Sequence, residues 1–155
     1  YLPTQEQLKT EVETLRKQAK AELPGRLKEL ADRYGFVYNR VAIKHNVTNW
    51  GSCSTKSNIN LNLNIVRLPS VLRDYILLHE LCHLRHHDHG EGFHLLLEHV
   101  LTDNLMRLLE NCVASQTLED EATLVKSIAR KAAVSKARYP LDYTLSRAIK
   151  QYRLV

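Results

Sequence analysis

Seven of the eight histidines of this 155-residue chain fall between positions 79 and 99. A solvated surface would scatter them, so the chemistry is sought there first. Within the cluster stands His79-Glu80-Leu81-Cys82-His83. On an α-helix, side chains four apart share a face, with Cβ atoms about 5–6 Å from each other. Two imidazoles at that spacing can converge on one zinc ion at Zn–N distances of about 2.0–2.1 Å. Glu80 is turned about 100° from His79, as 3.6 residues per turn requires. Its carboxylate can lie beside the metal without ligating it and serve a water there as general base. A chain of this composition would contain the pattern by chance only about 0.03 times.

A catalytic zinc takes three protein ligands and keeps its fourth position open. His86 and His87 continue the helical face of His79 and His83. A straight helix, however, rises about 10 Å from His79 to His86, too far for one small ion. These two are expected to be solvated or to support the ligands from behind. The chain must leave the helix and turn back. His89 lies six residues past His83 with Gly90 just after it, and His94, Glu98 and His99 further on are alternatives.

His79-Glu80-Leu81-Cys82-His83, then five residues, His89 and Phe93, resembles the YgjP-like metal-dependent hydrolases, a family of zincin-type metallopeptidases. So does the upstream Trp50-Gly51-Ser52-Cys53, followed by Ile59-Asn60-Leu61-Asn62 and Pro69. The likeness covers about positions 5–101. It implies zinc on His79, His83 and His89, with Glu80 catalytic. It also implies a β-rich region ahead of Tyr1, with which the absence of an initiator Met agrees. Where the family usually has Arg before the Trp, Ser after the third His and an aromatic after the Phe, this chain has Asn49, Gly90 and His94.

The flanking sequence must hold these groups in place. Positions 4–22 read as an amphipathic helix, with Thr4 and Gln7 spaced for a capping box. Pro24-Gly25 should kink or break it, and a second helical stretch should end at Gly35. Positions 36–45 are expected to form a strand, and Asn46 to Ser57 a loop. In 58–65, Ile59, Leu61, Leu63 and Ile65 alternate with Asn60, Asn62 and Asn64, the period of a half-buried strand. That strand should pack on the metal helix and turn its Asn row away from that contact, as a solvated face or a substrate-facing row. A free edge, if it has one, would be a rail for an extended substrate. Ser70 is a natural N-cap for the helix carrying the metal motif. Another helix begins near Glu91, with Thr102-Asp103 as a possible interruption.

Net charge is +5 and the apolar fraction 44%, a globular balance. The longest apolar run is the four residues Tyr75 to Leu78, far short of the roughly 20 of a membrane span. Three cysteines make no disulfide framework and suit a reducing cytoplasm. Cys53 and Cys82 are expected to pack rather than react. Trp50 could line the cleft or anchor its loop.

These features predict an α+β, zincin-like fold: a small sheet with packed helices, the metal motif on a central helix, and a helical C-terminal extension. Residues 1–113 would be the catalytic domain and 114–155 a basic extension. The function expected is zinc-dependent hydrolysis, first of peptides. Hydrolysis of a phosphoanhydride or other non-peptide bond is one alternative. A nucleic-acid-associated module using the basic tail is another.

Overall fold

The computed structural model describes residues 2–114 and 118–155. Residue 1, and residues 115–117 of the expected extension, lie outside the described residues. Among the described residues the architecture is α+β, with five α-helices around a three-stranded sheet. Helix α1 (Gln5–Tyr34) opens on the expected capping box between Thr4 and Gln7. It does not break at Pro24. Ala19, Leu23, Leu27, Leu30 and Ala31 are buried on both sides of the proline. That continuous apolar face holds the helix together across the lost backbone bond. Gly35 ends it with φ 75°, the left-handed conformation glycine adopts without strain.

The sheet differs from expectation at its edges. Strand β1 (Arg40–Lys44) is shorter than the 36–45 segment, and Gly51–Cys53, expected in a loop, forms strand β2. Strand β3 (Asn58–Asn62) is central, parallel to β1 and antiparallel to β2. It therefore has no free edge to offer as a substrate rail.

The alternating stretch also leaves the sheet early. After Asn62 the backbone tightens into a 3₁₀ helix over Leu63–Arg67. Asn62 drives this by accepting the Asn64 N–H at 2.9 Å, while its own amide donates to the carbonyls of Asn46 and Asn49. Asn62 and Asn64 are buried, at 2% and 0% exposure, against the expectation of a solvated amide row. Ile59, Leu61, Leu63 and Ile65 are buried as the period required.

Helix α2 (Ser70–Cys82) runs through the core with Leu72, Ile76, Leu77, Leu78 and Leu81 buried. Its N-cap is Pro69, not Ser70; the Ser70 hydroxyl instead donates to Glu121. Helix α3 (Glu91–Val113) is continuous through Thr102-Asp103, since the Thr102 hydroxyl bonds back to the Glu98 carbonyl without displacing the helix.

One buried cluster pins the first three helices. Asp74 of α2 receives both Nε and Nη2 of Arg26 from α1, at 2.9 and 2.7 Å. Asn104 of α3 donates to the same carboxylate at 3.0 Å. Helices α4 (Glu119–Val134) and α5 (Pro140–Ile149) bury Val125, Ile128, Leu141, Leu145 and Ile149 against this body. No helix among the described residues is long and apolar enough to cross a membrane.

Candidate metal centre

His79 and His83 lie one turn apart near the end of α2, and their ring centroids are 4.9 Å from each other. Past His83 the chain turns through 84–90 and returns His89 to the same point. The Nε2 atoms of His83 and His89 are 3.1 Å apart. One ring nitrogen from each of His79, His83 and His89 falls within 4.8 Å of the others. His89 is exposed while His83 is 8% exposed, so the cluster opens to solvent at His89.

The hydrogen bonds set the rings for ligation. His83 Nδ1 lies 2.9 Å from the His86 carbonyl, to which it donates. A neutral His83 then turns the lone pair of Nε2 toward the other imidazoles. Burial lowers the pKa of His83, which favours this neutral form. Phe93 of α3 stacks on His83 at 4.3 Å and meets His79 and His89 edge-on, both at 5.0 Å. One buried ring thus touches all three imidazoles. The donor set suits zinc. Tetrahedral nitrogens at about 2.0 Å from an ion stand about 3.3 Å apart, close to the His83–His89 separation.

Glu80 is 6% exposed, and its Oε2 lies 3.3 Å from His79 Nδ1. Gly51 of β2 makes room for it. A Cβ at Gly51 would stand 3.1 Å from Glu80 Cγ, 3.3 Å from Oε2 and 3.1 Å from the Asn60 carbonyl. The glycine of Trp50-Gly51-Ser52-Cys53 therefore lets the sheet close on the carboxylate. Sequence reasoning missed this role, although a glycine in a strand already signals close approach.

His86 contributes its carbonyl, and its ring packs against Gly92, where a Cβ would fall 2.8 Å from Cε1. His94 takes another path: Nδ1 pairs with Asp142 of α5 at 3.1 Å. Glu98 accepts the backbone N–H groups of Leu141 and Asp142. His94 and Glu98, both considered as third ligands, thus hold α5 instead. His99 is exposed.

Tyr75, one turn before His79, donates its hydroxyl to Asp142. Burial and the Asp142 charge raise its pKa strongly, so it stays a donor. Cys82 is buried in the core, which pushes its thiol up to about 12. Cys53 donates weakly to the Ser54 carbonyl and takes no part in the histidine cluster.

Among solved structures, the metallopeptidase zymogen of Pyrococcus abyssi abylysin aligns at 23% identity and a TM-score of 0.43, over 55% of this chain and 90% of that one. No curated protein matches. The family model described as YgjP-like, metallopeptidase domain, matches residues 2–140, which include the histidine cluster, Glu80 and Gly51, and the chain belongs to that family.

Proposed function

We propose that this chain is a zinc-dependent peptidase in which His79, His83 and His89 hold the metal and Glu80 is the general base. The observation that carries the reading is the convergence of three imidazole nitrogens beside a buried, non-converging carboxylate. Zinc held by these three imidazoles would supply Lewis acidity, which lowers the pKa of water and polarises a carbonyl. Glu80 takes a proton from the attacking water at a carboxylate oxygen and returns it to the leaving nitrogen. Phe93 and the His86 carbonyl keep the rings in register, so little reorganisation is required at the moment of reaction. The outer edge of β2 is unpaired among the described residues, and Gly51 of that strand lies against Glu80. An extended peptide can add to it as a further strand.

The test is metal analysis of the purified chain followed by a substrate panel. One zinc per chain and cleavage of casein are expected. Glu80→Gln should keep the zinc and lose about 10²–10⁴-fold in turnover. Turnover of nucleoside triphosphates in place of casein would favour the phosphoanhydride alternative. Salt-dependent DNA binding indifferent to Glu80→Gln would favour the nucleic-acid one.

A further inference from the structure

A cavity of about 370 Å³ adjoins the histidine cluster, walled by Trp50, Tyr75 and His79 on one side and by Ile149, Lys150 and Tyr152 on the other. Glu80 and Gly51 also border it. Its size sits near the bottom of the about 300–1,000 Å³ range of ligand pockets, room for a large side chain rather than a whole ligand. The far wall comes from α5 and the residues after it, beyond the 2–140 matched to the family. That wall lies outside the family match.

That wall is fixed in place. Asp142 binds Tyr75 and His94, and Glu98 holds the N-terminus of α5 through two backbone N–H groups. Beyond α5, buried Asn64 donates to the Val155 carbonyl at 3.0 Å and accepts its N–H at 3.0 Å. Arg67 binds the Arg153 carbonyl. The segment that presents Lys150 and Tyr152 is thus held at both ends. Lys150 is exposed and has no ion pair among the described residues. The only other charged lining groups are Glu80 and the titratable His79.

We infer that residues 146–152 are a specificity element, selecting substrates with a bulky apolar side chain beside the reacting bond and a carboxylate just beyond it. The apolar walls take the side chain, and Lys150 at the wall pairs with the carboxylate. Its meaning rests on the peptidase reading, but binding can be measured apart from hydrolysis. Trp50 is the only tryptophan of the chain and lines the cavity, so its emission reports occupancy.

The experiment titrates the zinc-loaded Glu80→Gln full chain with N-acetyl-Phe-Asp-amide, N-acetyl-Phe-Lys-amide and N-acetyl-Gly-Asp-amide, following Trp50 emission. The Phe-Asp peptide should bind at least tenfold more tightly than the Gly-Asp peptide and several-fold more tightly than the Phe-Lys peptide. Ser146→Phe fills the cavity from an accessible helix position without adding a tryptophan, and should remove the preference for Phe. Lys150→Ala should remove the preference for Asp over Lys and keep that for Phe. Circular dichroism checks that both variants fold. Equal affinity for Phe-Asp and Gly-Asp peptides, or unchanged affinities in folded Ser146→Phe, would overturn the assignment. Selective binding with no hydrolysis of any peptide by the wild-type chain would reject the peptidase reading and leave the pocket standing. Hydrolysis without side-chain preference would do the reverse.

Discussion

At the scale of single residues, the centre depends on a few atoms with no slack. His89 is brought to His83 by a turn, and His86 helps through its backbone carbonyl rather than its ring nitrogens. His89→Ala should therefore empty the zinc site. His86→Ala keeps the carbonyl and should keep the ion. Metal analysis of the two variants decides it, and the opposite pattern would move the third ligand to His86. Gly51→Ala addresses a different part of the machinery. The added methyl crowds Glu80 Cγ at 3.1 Å, with the Asn60 backbone blocking retreat. A displacement of about 1 Å costs up to about 100-fold, and the contact here asks for a few tenths of an ångström. We expect kcat to fall by up to about tenfold with zinc content unchanged. An unaffected kcat would show that Glu80 tolerates the shift.

At the scale of elements, the end of β3 decides where the site-bearing segments go. Asn62 ties the Asn46 and Asn49 carbonyls of the loop before β2 to the first turn of the 3₁₀ helix. Asn62→Ala removes these bonds and takes the acceptor from the buried Asn64 N–H, at about 1–3 kcal/mol for an unsatisfied buried group. A loss of about 2–3 kcal/mol is expected in denaturant unfolding. The alternating pattern concealed it because period 2 assigns faces but cannot tell a solvated amide from a satisfied buried one. Leu61→Ala, which opens a cavity in the core, should cost about 2–5 kcal/mol.

At the scale of the whole molecule, α5 is tied to the helices that carry the histidine cluster. Glu98 of α3 provides the acceptor that the α5 N-terminus lacks in its own sequence, since Tyr139 makes no side-chain cap. Its negative charge also suits the positive end of the helix dipole. Asp142 then couples α5 to Tyr75, one turn from the first histidine. Asp142→Ala breaks both side-chain bonds. It should speed amide hydrogen exchange over 140–149 while zinc content stays intact. Peptide KM should rise more than kcat falls, because the far wall of the cavity loosens. Unchanged exchange would mean that burial of Leu141, Leu145 and Ile149 holds the helix unaided.

Much of this was legible in the sequence, because local rules governed it. The i, i+4 histidines with Glu80, the Thr4 capping box, the Gly35 cap and the apolar period of α2 each depend on neighbours within one or two helical turns. That a straight helix carries His86 out of reach was legible too, but spacing alone left His89, His94, Glu98 and His99 open, and only the likeness to the YgjP-like family singled out His89. Tertiary packing decided the rest. Pro24 stays helical because the body supports α1 on both sides of it, a term no local propensity contains. Gly51-Ser52-Cys53 becomes a strand because β3 lies alongside, and three residues carry too little pattern to announce a strand by themselves. The wall formed by Ile149, Lys150 and Tyr152 joins Trp50 across about 100 positions of chain. Nothing in the spacing of either segment encodes that meeting, which follows from the helices between them burying their apolar faces.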